Sequence, residues 1–348
     1  MKRILLTASV LLMVSVHVAF GQQDPKFTHY MFNQVVYNPA FIGSEFGDQI
    51  CVNLIHHDQW MGYDNNTANQ DGSKAPLTTT FNVHKPFTIA KGKHKLGAGL
   101  IFANDGLGFQ QSQFGSMGLS YHYDMGKDAN GKDRWLIGGL NLGFVQSGID
   151  GSKLIFIDQG DVLIDALIAD GQSLAFDFGL GLLYKTNDYY IGISNMHIPQ
   201  SDVDWFNGEY SDTKINRHFY INAGYDYELT PNLVLKPRAL IKFDRAIWQA
   251  DLAVLAEYGG QFWGGLNVRR GEGMMILAGF KAIDRPTRMP KYRQVLKIGL
   301  SYDITFNRLQ NVSNNTLELM ANYCFPIIIT PRPPKPEQDV RFLGGYTL

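Results

Sequence analysis

The chain reads as an all-β protein, a 14-stranded antiparallel transmembrane β-barrel of the bacterial outer membrane. Three observations predict it. Apolar and polar residues alternate in short blocks from residue 49 to residue 325, the period of two that gives a strand two unlike faces. A secretory leader precedes the blocks, and the long connections between them fall on one side of the strand order. A water-soluble sandwich keeps its polar face outermost. Behind a leader, with this many blocks, the arrangement inverts, with apolar side chains toward lipid and polar ones toward a lumen.

Residues 1–21 form the leader. Lys2 and Arg3 supply a positive start, Ile4 to Phe20 are mostly apolar, and Ala19-Phe20-Gly21 fits a small-x-small cleavage site. The mature chain is then expected to begin at Gln22 or Gln23, with no cysteine there to carry a lipid. No later stretch approaches the ~20 continuous apolar residues of a spanning helix. The mean hydropathy of -0.14 excludes a polytopic helical protein, but strands of ~9–11 alternating residues average to such a value. The 36 glycines and 13% aromatic content point the same way. Glycine relieves crowding on a curved sheet, and Tyr and Trp favour the membrane interfaces. Without Lys2 and Arg3, 29 basic side chains face 32 acidic ones, a net charge of -3 that argues against a nucleic-acid partner.

Fourteen strands are expected, at 49–60, 77–86, 94–104, 112–123, 134–146, 174–185, 188–197, 217–227, 232–243, 249–258, 261–270, 274–283, 294–304 and 316–325. The even number is what a single-chain bacterial barrel requires. The alternation is clearest near the end: Leu296, Ile298, Leu300, Tyr302 and Ile304, then Leu317, Leu319, Ala321, Tyr323 and Phe325. Phe176, Phe178, Leu180, Leu182 and Tyr184 face lipid, as do Phe219, Ile221, Ala223, Tyr225 and Tyr227, and Leu233, Leu235, Ala239, Ile241 and Phe243. The opposite parity carries Asp177, Asp226, Lys236, Arg238, Lys242, Asp251, Glu257, Asp303 and Glu318. An inner wall of both signs predicts cross-strand ion pairs more than a strongly ion-selective pore.

Connection lengths give an independent check. The long gaps 61–76, 147–173, 198–216 and 305–315 all follow odd-numbered strands, whereas tight links such as Gly259-Gly260 follow even ones. Long loops outside and short periplasmic turns are the barrel pattern, although 124–133 and 284–293 depart from it. Residues 22–48 precede the barrel of 49–325. A tail, 326–348, with Pro331, Pro333, Pro334 and Pro336, follows as a stiff extended segment. An even strand number then puts both termini in the periplasm.

Cys51 and Cys324 lie near the periplasmic ends of the first and last strands, which are neighbours in a closed barrel, and both have inward parity. In an oxidising compartment they form either a seam disulfide or two lumen-facing thiols. Sequence does not decide between these, because shear sets the register. Catalysis finds no motif: there is no P-loop, nucleophile elbow or His-Glu-x-x-His, and no cofactor or metal is expected. His56 and His57, adjacent on a strand, face opposite ways. Asp202-Val203-Asp204 reads as a solvated loop, with weak calcium binding the less favoured alternative.

Residues 22–44, QQDPKFTHYMFNQVVYNPAFIGS, carry the most specific pattern. Gln22, Gln23, Asp24, Pro25, Phe27, Tyr30, Met31, Phe32, Asn33, Tyr37, Asn38, Pro39, Ala40, Gly43 and Ser44 resemble the start of mature PorP/SprF proteins, membrane proteins of type IX secretion. The likeness continues at Gln59-Trp60, 189–197, 299–305, 316–325 and Arg341-Phe342-Leu343. The loop segment 157–161 follows the family trend, while His57-Asp58 stands where arginine is common. The resemblance implies a non-enzymatic outer-membrane barrel needed for export or surface attachment of particular cargo. It also implies association with the periplasmic ring and motor of the machinery. The residues themselves add that Tyr30, Phe32, Tyr37 and Phe41 must bury their rings, with Asn38-Pro39 forming a turn. They are buried either inside the barrel as a plug or against a partner; capping the periplasmic mouth and contributing a partner surface are both expected of the segment and are compatible.

The expected function is docking to ring and motor proteins and handling of a secreted surface cargo, from a barrel held in outer-membrane lipid. A channel for small, hydrophobic solutes is the alternative, and a membrane hydrolase a distant third.

Overall fold

The computed structural model describes residues 24–45, 49–61, 75–89, 94–150, 171–205, 213–244, 247–286, 293–306, 311 and 314–326. The leader, the loop segment 157–161 and the proline-rich tail beyond residue 326 lie outside them. Fourteen antiparallel strands close into a barrel. They are β1 (Gln49–Asp58), β2 (Leu77–Ile89), β3 (His94–Leu107), β4 (Gln110–Lys127), β5 (Asp133–Ile149), β6 (Gln172–Thr186) and β7 (Tyr189–Met196). Next come β8 (His218–Tyr225, resuming as Tyr227–Thr230), β9 (Leu233–Phe243), β10 (Trp248–Tyr258), β11 (Phe262–Arg269), β12 (Gly273–Pro286), β13 (Arg293–Thr305) and β14 (Thr316–Pro326).

Each strand pairs with its sequence neighbours, and β1 pairs with β14, so no edge is left open in the barrel. That closing register sets Cys51 opposite Cys324. The two sulfurs are bonded, across the pair of strands farthest apart in sequence. Two features differ from a simple alternation. β8 is interrupted at Asp226, whose amide donates to the Asp188 carbonyl and whose carboxylate pairs with Arg238. β1 stops at Asp58, and Trp60 turns the chain with φ 57.

The outer face is apolar. Met117, Phe176 and Leu252 are each about 60% exposed to the surroundings, with Leu100, Leu119, Leu180, Leu182, Ile193 and Leu266 among the others. Tyr121, Tyr123, Tyr189, Tyr225, Tyr227 and Tyr258 ring the end that carries the short links, the amphipathic girdle expected where lipid meets water. This end is called the turn rim here, and the opposite one the loop rim. At the turn rim, Gly259 and Gly260 have φ of 59° and 62°, as a two-residue hairpin turn requires.

The described N-terminal segment contacts strands on every side of the closed wall, a placement that only the interior permits. Glu318 on β14, Asp251 on β10, Asn82 on β2, Ser120 on β4 and Ser194 on β7 all bond it. It runs from rim to rim. Asp24 meets His197 and His218 at the loop rim, and the Ser44 carbonyl accepts from Lys185 near the turn rim. The described residues therefore fill the lumen from rim to rim and are not confined to its periplasmic mouth. Pro326 ends beside Gln49, and Asp24 lies at the far end of the lumen. The reason is apolar burial: rings spaced from Phe27 to Phe41 need cover along the whole barrel axis.

Replacing Cys324 by serine is expected to weaken the seam. Closing a loop of 273 residues is worth up to about 5 kcal/mol in the chain-entropy account. The check is the temperature at which the folded barrel loses its fast gel migration in detergent. The variant should convert at a markedly lower temperature, and reduction should have no further effect on it.

Candidate functional site

The site is the contact between residues 24–45 and the lumen wall. Three short turns fold the segment: a 3-10 turn at Tyr30–Phe32, a single α turn at Gln34–Tyr37 and a second 3-10 turn at Pro39–Phe41. Asn38 caps the last, its side-chain oxygen accepting from the Ala40 amide at 2.9 Å. Pro39 then sits at the first position of the turn, where a missing N–H costs nothing. Turns this short leave many backbone groups without partners of their own, and inside a lumen those must be met by the wall.

Two sets of wall residues meet them. Near the loop rim the partners are charged. Glu318 accepts from the amides of Thr28 at 2.8 Å and His29 at 2.6 Å, and its oxygens also lie within 2.8 Å of the His29 and His57 rings. The Thr28 hydroxyl donates to Asp303 at 2.5 Å. Arg269 donates to the Phe27 carbonyl at 3.1 Å while also holding Asp251 and Glu272, and Lys26 pairs with Glu272. Charge-assisted bonds of this kind are the stronger class.

Toward the turn rim the wall recedes instead. Gly97, Gly118, Gly139 and Gly181 line the inner face of β3 to β6, and a methyl group on any of them would collide with Asn38, Pro39, Ala40 or Ile42. The missing side chains make room for the segment's backbone. The Asn38 amide then reaches the carbonyls of Leu182 and Ile193 at 3.2 and 3.3 Å, and Gly43 turns at φ 66° against Gly97 and Pro86.

The aromatic residues singled out in the sequence fill the space between. Tyr30 and Tyr37 are buried with Phe27, Tyr220, Leu255 and Met275. Phe32 lies 4.9 Å from the Trp263 ring, and Phe41 meets Tyr190 edge-on at 5.3 Å. Asn33 accepts from Asn82 at 2.7 Å. Of the lumen charges, Asp303 and Glu318 hold the segment directly, while Lys242 approaches the Asp24 carbonyl at 3.4 Å and Asp177 the His197 ring at 2.9 Å. Asp226, Lys236 and Arg238 form a separate network with Glu257 near the turn rim. They touch no residue of the segment through an ion pair; Arg238 stacks over Tyr190, whose hydroxyl accepts from Gln34.

Sequence reading overlooked Lys26, Thr28, Arg269 and Glu272, and it treated the inward glycines only as relief for curvature. Glycines recurring at inward parity on consecutive strands were the available signal. A further concavity, about 910 Å³, lies on the lipid-facing side over β3 to β9, against Leu119, Leu180, Leu182, Ile193 and Phe219.

Two outcomes follow from this packing. Gly139→Val or Gly181→Leu should loosen the segment by about 1–3 kcal/mol, the usual cost of overpacking. That corresponds to roughly 5- to 150-fold less amide protection over residues 24–45 in hydrogen exchange, with barrel strands unaffected. The second concerns pH. Burial pushes the Glu272 carboxyl up, but Arg269, then Lys26, outweigh it and hold it at about 2. A depressed carboxylate contributes stability above its unfolded value of about 4.3 and loses it as pH falls through the folded value. Glu272→Gln should therefore destabilise the folded state at pH 7, with the difference from wild type shrinking between about pH 4 and pH 2 in acid-unfolding curves.

Comparison with solved structures finds barrels of the same general kind. The CymD monoaromatic hydrocarbon channel is 12% identical, covering 85% of this chain and 93% of its own, with a TM-score of 0.49. The P. putida toluene transporter TodX is 8% identical over 83% and 92%, at 0.42. The translocator domain of the autotransporter NalP from Neisseria meningitidis is 10% identical over 86% and 94%, at 0.39. At such scores no functional statement passes from them to this chain. No curated protein sequence matches. A family model described as type IX secretion system membrane protein PorP/SprF matches residues 19–323, nearly the whole barrel together with the segment that fills it. The chain belongs to the PorP/SprF family of type IX secretion system membrane proteins, an outer-membrane β-barrel family.

Proposed function

We propose that this barrel is a non-enzymatic docking component of type IX secretion, closed by its own N-terminal segment. The observation that carries this reading is the occupied lumen. Phe27, Tyr30, Tyr37, Phe41 and Ile42 are buried inside the barrel, and the bonds to Glu318, Arg269 and Asp303 tie the segment to the wall. A fourteen-stranded barrel filled in this way has no room for a folded chain. Cargo crosses elsewhere, and this protein acts beside the conduit. The long loops face the exterior and engage a secreted surface protein. The turn rim, carrying Gln49 and Pro326, faces the periplasm and engages the ring and motor proteins. The aromatic girdle and apolar wall hold the barrel in outer-membrane lipid.

The reading as a small-solute channel requires a continuous path, which the segment occupies between Asp24 and Ser44. Metal- or nucleophile-based hydrolysis has no support from the family, which is a secretion-system family.

The test is removal of the protein from its native cell, in a strain lacking all paralogues, with surface and secreted proteins measured by mass spectrometry. Loss of one or a few exported proteins, together with recovery of ring components on affinity isolation of the detergent-solubilised barrel, is the expected result. Unchanged export and a barrel isolated alone would overturn the proposal.

A further inference from the structure

Three ligand-bearing side chains from distant parts of the sequence converge at the loop rim. Asp24 starts the described lumen segment, His197 follows β7 and His218 opens β8. One ligand atom from each lies within 4.8 Å of the other two. His197 Nε2 is 2.9 Å from Asp24 Oδ1, and His218 Nδ1 is 3.4 Å from Asp24 Oδ2. Both histidines are buried, His218 to within 1% of full cover.

The second nitrogen of each ring faces a carboxylate. His197 Nδ1 is 2.9 Å from Asp177 Oδ2, and His218 Nε2 is 3.8 Å from Asp244 Oδ2. The His197–Asp177 contact has the arrangement common in histidine metal ligands, one nitrogen free for the ion and the other on an acidic partner that fixes tautomer and ring angle; Asp244 faces His218 beyond hydrogen-bond distance. Hydrogen bonding alone leaves this pocket poorly satisfied. Neither nitrogen of His218 makes a hydrogen bond, and neither do the carboxylate oxygens of Asp244. His197 lies between two carboxylates at 2.9 Å each, which an imidazolium would satisfy as well as a metal-bound ring would, so the groups left unmet are those of His218 and Asp244.

Charge points the same way. Asp24, Asp177 and Asp244 bring three carboxylates, and Lys242, 3.4 Å from the Asp24 carbonyl, is the cation in direct contact. With both rings neutral, two negative charges remain in a nearly closed space, the complement of one divalent ion. Two imidazoles and one carboxylate suit zinc among the divalent metals, with bonds of about 2.0–2.2 Å and tetrahedral ligand spacings near the 3.4 Å seen between His218 and Asp24.

We propose that Asp24, His197 and His218 form a zinc site, with Asp177 orienting His197 and Asp244 adding nearby negative charge, that fastens the start of the lumen segment to β7 and β8. The inference rests on the geometry of the segment and is independent of the docking role. Tyr220, whose hydroxyl donates to Asp24, lies where it steadies the carboxylate, and three protein ligands leave a fourth position for water.

The experiment uses the full-length, tag-free barrel in detergent, stripped with chelator and dialysed against zinc chloride. Bound metal is read by mass spectrometry against a free-zinc series. One zinc per chain is expected, abolished in His197→Gln/His218→Gln and weakened about 10- to 100-fold in Asp177→Asn, the range for loss of an orienting partner. Asp24→Ala sits outside the wall and leaves the strands intact, so its loss of binding, with normal heat-modifiable gel migration, carries the test if the histidine variants fail to fold. No bound zinc at any free concentration below the millimolar range, or equal binding in wild type and Asp24→Ala, would overturn the proposal.

Discussion

The structure depends on burying the rings of residues 27–41 in a lumen whose wall was shaped to receive them. An outward apolar wall is satisfied by lipid, but the inward wall has no such solvent and must be met by water or protein. Here protein meets it. Tyr30, Tyr37 and Phe27 supply the apolar contact, while Glu318 and Arg269 satisfy backbone groups that turns of three or four residues leave open. Where the wall comes closest to the segment it carries glycine, so the sheet itself gives up side chains to the guest. Neither partner makes sense alone. The segment is too aromatic for water, and the glycine row would leave a hole without it.

The seam belongs to the same logic. β1 begins within a few residues of the end of the lumen segment, so any slip of β1 against β14 would displace the segment along the barrel axis. The Cys51–Cys324 bond sits in that ladder, near the turn rim. At the other end the segment is held by the Asp24 cluster and by Lys26 on Glu272. A chain fixed at both ends and packed in its middle resists the sliding that an open channel would need.

Much of the barrel was legible because alternation is local. Leu180 and Leu182 against Gly179 and Gly181 state a strand and its two faces without reference to anything else; counting such blocks gives the strand number, and the sorting of loop lengths gives the two rims. The lumen contents were legible only in part. Tyr30, Phe32, Tyr37 and Phe41 announce that they need burial, but nothing in their spacing says that the burial runs from one rim to the other. The direct holders of the segment, Arg269 and Glu272 above all, look in sequence like any inward charge beside a turn. Asp24, His197 and His218 are invisible as a set: pairing of β7 with β8 brings the two histidines together, but Asp24 joins them only because the segment runs up the lumen to the loop rim. Family resemblance names the machinery, and physics supplies the occupied lumen.

The most direct measurement is ion conductance in planar lipid bilayers, comparing the intact protein with a chain lacking residues 24–44. An account built on an occupied lumen predicts a closed intact barrel and stable open-channel currents after the deletion, with the strand content of the two proteins equal. Equal currents from both, whether open or closed, would contradict it.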